Sequence, residues 1–293
     1  MQREYGSQGM AAPLRRVMMR APGAAMRAAD RAVWHYGPGF DPARAEVQHA
    51  AFAELVADSG ARIDWLEQHD GDGLSDAVFT HDPSFVTEVG GVILNMGKPL
   101  RRKEPALHRA AYQAMDIPIL GALPEGATME GGDTVWVDRH TLAVGRGART
   151  NQAGIEAVAD ILRPHGITVL GFDLPVWTGG DACLHLMSLI SPLADDLALV
   201  HRPLMPFAFH ALLRDRGWRL IDAPPAEFHE SFGLSVNVLP TAPGEVIAVD
   251  GFPETRKAME DAGCRVQVFA GDALCIACEG GPTCLTRPIL RAA

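Results

Sequence analysis

Short apolar runs punctuate this chain in a repeating rhythm. A unit of strand, turn, strand, helix and closing strand recurs about every 50 residues. The clearest copy begins with a predicted strand at Ala77–Thr80, returns through Gly91–Leu94, continues as a helix from about Glu104 to Met115 and closes at Ile117–Leu120. The next copy reads Thr134–Val137, Leu142–Val144, a helix at about Gly154–Leu162 and a strand at Ile167–Leu170. In that helix Ile155, Val158, Ile161 and Leu162 fall on one face at helical spacing, and Pro164 and Gly166 end it. A third copy spans His185–Ile190, Leu197–His201, Phe207–Leu213 and Trp218–Ile221; a fourth spans Leu234–Leu239, Glu245–Val249, Glu254–Ala262 and Val266–Phe269. The fifth joins the two ends, taking Val17–Met19, a helix at about Glu46–Ala57, Arg62–Leu66 and strand material near Cys284. Each unit is too small to bury its own apolar face, so stacking of units into one closed domain is expected. The pattern alone predicts an α/β fold of repeated short meanders.

Composition narrows the class. The 293 residues are 47% hydrophobic and 21% charged, which suits a packed core and excludes wholesale disorder. A net charge of −10 argues against a general binder of nucleic acid or anionic membrane. No apolar run approaches the length of a transmembrane helix. The first 31 residues hold six arginines but lack the apolar core of a secretory signal, so a cytoplasmic location is expected. Residues 1–13 read as a flexible segment before a single domain at 14–293. Five cysteines, Cys183, Cys264, Cys275, Cys278 and Cys284, point to reduced thiols rather than a disulfide framework. Cys275 and Cys278 have the spacing of half a zinc site, but no second pair follows.

Four short motifs carry candidate chemistry. Phe79-Thr80-His81-Asp82-Pro83 presents a carboxylate at a predicted strand end, although Asp-Pro is also an ordinary turn starter. Glu130-Gly131-Gly132-Asp133 reads either as a plain turn or as backbone close to a ligand with acids at the rim. Leu184-His185-Leu186-Met187-Ser188 sets one imidazole in an apolar run, as a core histidine or a general acid–base group. Gly280-Gly281-Pro282-Thr283-Cys284 places a thiol on a constrained turn, inert or nucleophilic.

In this order the set resembles the guanidino-group modifying enzymes: arginine deiminases, dimethylargininases and amidinotransferases. The resemblance extends from about Leu14 to Arg291 and includes the G-R-G-A-R-T-N stretch at 145–151. It implies the pentein fold, a five-bladed pseudosymmetric α/β-propeller. It also implies Cys284 as nucleophile, His185 as general acid–base, Glu130 as the carboxylate that orients the imidazole and touches the guanidinium, and Asp82 as the carboxylate that holds the guanidinium nitrogens. Arg101 and Arg149 correspond to arginines that bind the amino-acid end of the substrate, and Asp76 to a further polar contact. His81 stands where dimethylargininases commonly carry an acid, and F-T-x-D-P echoes arginine deiminases. L-H-L-M-S and the short chain are nearer to dimethylargininases. The resemblance therefore favours hydrolysis of an N-methylated arginine to citrulline and an alkylamine. Arginine deimination or amidino transfer stands as the alternative, and a non-enzymatic guanidino-binding protein or a zinc module on Cys275 and Cys278 is weaker. No metal or cofactor is required, the partner is a small guanidino compound, and a homodimer is compatible with the sequence.

Overall fold

The structure, a computed structural model, describes residues 4–68, 71, 73–178 and 184–292. The described residues form five three-stranded sheets of one design. β1 (Leu14–Met19) lies between β15 (Arg287–Arg291) and β2 (Arg62–Trp65). The other sheets are β3 (Ser84–Thr87), β4 (Gly90–Ile93) and β5 (Ile119–Ala122); β6 (Thr134–Asp138), β7 (Thr141–Arg146) and β8 (Thr168–Asp173); β9 (Ile190–Ala194), β10 (Leu197–Val200) and β11 (Arg219–Asp222); and β12 (Leu239–Ala242), β13 (Glu245–Val249) and β14 (Arg265–Phe269).

In every sheet the middle strand pairs antiparallel with one neighbour and parallel with the other, and a helix bridges the parallel pair. A parallel pair needs such a crossover because a tight hairpin can join only antiparallel strands. The five crossover helices are α1 (Pro42–Asp58), α2 (Glu104–Ala114), α3 (Gln152–Leu162), α4 (Phe207–Asp215) and α5 (Pro253–Asp261). Their sequence signals are local. Asp41 accepts from the Ala43 and Arg44 N–H groups at the start of α1, and Asn151 accepts from the Gly154 N–H at 2.8 Å at the start of α3. Ile155, Val158 and Leu162 form the buried face of α3. β3, β4, β10 and most of β6, β7 and β9 are buried throughout, whereas β2, β5, β8 and β11 are half-exposed.

The repeat is as the sequence pattern suggests, but the start of each unit differs. Ala77–Thr80, His185–Ile190 and Leu234–Leu239 were expected as strands. The chain instead makes one-turn helices at Ser75–Val78, Leu186–Ser188 and Leu234–Val236, and the strands begin later, at Ser84, Ile190 and Leu239. Both conformations were open to the sequence because an apolar run that is buried all round has no period to read. A similar turn at Gly131–Asp133 precedes β6. The expected flexible segment at 1–13 is also held in place from Gly6 onward. The Gly6 N–H donates to the Ile289 carbonyl at 2.8 Å, and the Arg291 N–H donates to the Gly6 carbonyl at 2.9 Å, so the segment lies along β15.

Strands β3, β6, β9, β12 and β15 are each at one edge of their sheet, and residues from all five, including Phe85, Trp136, Pro192, Leu239 and Arg287, line one shared cavity, termed the axial cavity. The turns that precede these edge strands carry the candidate chemistry.

Candidate active site

Asp82 comes two residues before β3, Glu130 four before β6, His185 five before β9 and Cys284 three before β15. Each motif thus occupies the same place in a different unit. The fourth unit offers Asn237, two residues before β12.

Glu130 is fully buried and is the hub. Its Oε2 accepts from His185 Nε2 and from Arg149 Nη1, both at 2.9 Å. Its Oε1 accepts from the Gly97 N–H at 2.9 Å and the Lys98 N–H at 3.4 Å. Burial alone would raise its pKa, but the His185 hydrogen bond and charge, with Arg149, bring it down to about 2.

His185 is fixed from both sides. The Ser188 N–H donates to the His185 carbonyl at 3.0 Å while Ser188 Oγ accepts from the His185 N–H at 3.1 Å. Nε2 is the ring nitrogen that faces Glu130. Burial works against a charged imidazole, but Asp133, Asp82 and Glu130 outweigh it and raise the His185 pKa. Asp133 belongs to the same device, accepting from the Leu186 N–H at 2.9 Å and from Thr150 Oγ1 at 2.6 Å.

Asp82 accepts from the Gly132 N–H at 3.0 Å and from Arg101 Nη1 at 2.7 Å. Burial would raise its pKa, yet Arg101 and His185 hold it well below the usual carboxylate range. Arg101 differs from its expected place at the substrate's amino-acid end. It is buried, and its guanidinium is taken up by Asp82, by Glu104 at 2.8–3.1 Å and by the Phe79 carbonyl at 3.0 Å. Glu104 lies three positions after Arg101, a spacing that brings their side chains together. Glu104 is pushed up to about 7 by burial, against the pull of Arg101. Arg101 thus supports Asp82 from behind. Arg149 is one-seventh exposed and reaches Glu130. Asp76 is buried, accepts from Tyr36 Oη at 2.9 Å and faces Lys98 Nζ at 3.7 Å.

Cys284 is held by its neighbours. The His81 N–H donates to the Cys284 carbonyl at 3.1 Å, which places the cysteine beside the Asp82 segment. Asn237 Nδ2 donates to Cys284 Sγ at 3.1 Å, while Asn237 Oδ1 accepts from the Thr283 N–H at 3.1 Å. Burial and the Asp82 charge push the thiol up to about 11, against the opposing pull of Asn237 and Arg101. Asn237 escaped the motif reading. The signal for it was the repeat itself, since it occupies the fourth unit's equivalent of the other four positions. His81 is buried, and burial pushes its imidazole down to about 3; its Nδ1 lies 2.9 Å from the Thr286 carbonyl. It is neutral and acts as packing behind Asp82.

Among the described residues, Asp82, Glu130 and His185 bring ligand atoms within 4.8 Å of one another, close enough to share one cation. Cys264, Cys275 and Cys278 are buried, with no disulfide among the described residues, while Cys183 lies outside them. No helix among the described residues is long and apolar enough to cross a membrane.

Comparison with known proteins adds a sequence family and a fold. The arginine deiminase family model matches residues 66–211. The arginine deiminase of Mycobacterium avium (strain 104) is 27% identical over 304 residues, covering 87% of this chain and 72% of its own length. That of Listeria welshimeri is 24% identical over 259 residues, covering 75% of this chain, and the match spans only 63% of the deiminase. Among solved structures, a mutant dimethylarginine dimethylaminohydrolase from Pseudomonas aeruginosa, complexed with citrulline, superposes with a TM-score of 0.76 at 22% identity, over 94% of this chain and 99% of the other. An amidinotransferase from Microseira wollei, of the saxitoxin biosynthetic pathway, gives a TM-score of 0.78 at 16% identity, over 99% and 98%. In sequence the chain is thus similar to arginine deiminases, and in fold to a dimethylarginine hydrolase and an amidinotransferase, all of the guanidino-group modifying, or pentein, superfamily.

Proposed function

We propose that this protein is a cysteine-dependent hydrolase that cleaves a C–N bond of an arginine-type guanidino substrate, on a five-bladed α/β-propeller. The observation that carries this reading is the convergence of Cys284, His185, Glu130 and Asp82 at equivalent positions of four separate units, joined by the hydrogen bonds described above. The axial cavity lined by all five edge strands supports the propeller.

The chemistry follows from the side chains. A guanidinium is resonance-stabilised, and water attacks its central carbon slowly. Asp82 and Glu130, both ionised, orient it by charge-assisted hydrogen bonds. Its positive charge lowers the Cys284 pKa, and the thiol releases its proton to water. The thiolate sulfur bonds to the central carbon. The C–N bond to the leaving nitrogen then breaks as that nitrogen takes the proton from His185 Nε2, which leaves a thiouronium on Cys284. Neutral His185 removes a proton from water, the hydroxyl oxygen bonds to the same carbon, and the C–S bond breaks as the hydroxyl proton passes to solvent, which gives a urea and the thiolate.

N-methylated arginine, giving citrulline and an alkylamine, is the first substrate reading. It rests on the near-complete mutual coverage with the dimethylarginine hydrolase, against 63% coverage of the Listeria deiminase. Arginine itself, giving citrulline and ammonia, is favoured by the family model and the curated relatives. A panel of arginine, methylarginines, agmatine and acceptor amines, scored by mass spectrometry for citrulline, ammonia, methylamines and transfer products, tests the proposal. Turnover of none of them overturns it.

A further inference from the structure

Opposite chemistry lies in the axial cavity. Its non-atom space is about 480 Å³ with open solvent included, and Ser7, Gly9 and Met10 form part of its wall. No aspartate or glutamate is among the residues that line it, yet two arginines of β15, Arg287 and Arg291, do. Arg287 is buried, and one guanidinium arm, Nη2, donates to the His81 carbonyl. Its Nε is buried without any hydrogen-bond acceptor among the described residues. Arg291 gives Nη1 to the Ala12 carbonyl at 2.7 Å and Nη2 to the Pro240 carbonyl at 2.9 Å. Among the described residues neither arginine has a carboxylate within ion-pair distance.

A buried Arg287 guanidinium and a half-buried Arg291 guanidinium without an anion are costly, because removal of a charge from water is repaid only by a close counter-charge with good hydrogen bonds. The cost is visible in their acidity. Burial pulls Arg287 down to about 10, although Tyr112 and Asp82 oppose this, and pulls Arg291 down to about 9, helped by the charge of Arg287. Most of the remaining wall is apolar, with Phe85, Trp136, Met187 and Leu239. A cavity that is largely apolar with a few convergent polar groups has the composition of a small-molecule site.

We propose that the axial cavity is a second ligand site, separate from the catalytic turns, which takes a small aliphatic carboxylate. The carboxylate pairs with Arg287 and Arg291, whose planar forks suit that group, and its hydrocarbon part lies against the apolar wall. The site does not depend on the hydrolase reading, since none of the proposed catalytic residues lines it.

Calorimetric titration of the full chain with acetate, propionate, succinate, glutarate and inorganic phosphate tests this. One carboxylate is expected to bind with a stoichiometry of one. Arg291→Gln should weaken it by about tenfold or more, as removal of a charge-assisted bond does. Arg291→Lys, which keeps the charge, should retain part of the affinity. Gly9→Trp should abolish binding while the fold persists, because a side chain at Gly9 meets open space. Arg149→Ala should leave binding unchanged, which separates this site from carboxylate capture beside Glu130. Absence of binding by every carboxylate, binding of phosphate alone, undiminished binding to Gly9→Trp or loss of binding in Arg149→Ala would each overturn the proposal.

Discussion

Gly132 lies against the His185 imidazole so closely that a methyl group on its Cα would overlap the ring, while its N–H holds Asp82. One backbone position thus sets the distance between the proposed proton carrier and the carboxylate proposed to grip the substrate. Its neighbour Gly131 is equally confined, since a side chain there would meet the His81 carbonyl and Arg287. The two glycines are required by close approach rather than by unusual dihedrals.

Gly132→Ala should therefore displace His185 and lower kcat by about 10²–10⁴, the range for loss of a positioned proton carrier. Overpacking costs about 1–3 kcal/mol, so the variant should fold with a reduced melting temperature. Steady-state kinetics and thermal melting check this together. Unchanged kcat would show that His185 does not act from its observed position.

Cys284→Ser should abolish covalent trapping and turnover with the fold intact. Cys264, Cys275 and Cys278 should each be replaceable without loss of chemistry. In the free protein, alkylation of Cys284 should accelerate as pH rises toward about 11, because the thiol is protonated at neutral pH. A guanidinium ligand that does not block access should shift that profile downward. Iodoacetamide kinetics followed by mass spectrometry reads both effects.

Glu130→Gln should move the His185 titration to lower pH, since the hydrogen-bonded carboxylate contributes to its elevation. NMR of the imidazole protons measures this. The stability consequence has a definite sign. Raised in the folded state, His185 contributes stability that is complete below its unfolded value and lost as pH rises through the folded value. Glu130 and Asp82, depressed in the folded state, contribute stability above their unfolded values of about 4, and Glu130 loses its share as pH falls through about 2. Acid unfolding of Glu130→Gln should accordingly be less steep than that of the native protein. His185→Gly should cost about 10²–10⁴ or more in rate.

The two arginines should separate experimentally. Arg101→Met leaves Asp82 and Glu104 buried without their cation, and breaking such a pair costs about 3–5 kcal/mol. Chemical denaturation should show that loss. Arg149→Ala should raise KM for arginine or methylarginine by about tenfold to more than hundredfold if its guanidinium binds the substrate carboxylate. Agmatine, which lacks that carboxylate, should be little affected. Equal losses on both would assign Arg149 to the support of Glu130, with which it is paired here.

Exhaustive chelation should leave turnover unchanged. Zinc should inhibit, because Asp82, Glu130 and His185 can share one cation and the Cys284 thiolate favours it. Restoration of lost activity by one particular metal would contradict the proposed chemistry.

Much of this arrangement was legible in the sequence because the repeat is a hydrophobic one. Gly91–Leu94 and Glu245–Val249 are buried strands written as apolar runs, and Ile155, Val158 and Leu162 mark a helix by period. The turns at Ser75–Val78, Leu186–Ser188 and Leu234–Val236 were not legible, because burial on all sides erases the alternation that tells a strand from a turn. Arg101 illustrates a different limit. The resemblance placed it at a ligand contact, whereas the folded chain pairs it with Glu104, three positions on, and Asp82. Asn237 is neutral and ordinary in composition, and only its place in the fourth unit marks it.

The pairing of β1 with β15 ties the first strand to the last. Cys284 sits just ahead of β15, so during synthesis the proposed nucleophile emerges after Asp82, Glu130 and His185. If Cys284 acts as proposed, reactivity and completion of the fold arrive together, and turnover reports whether β15 has docked.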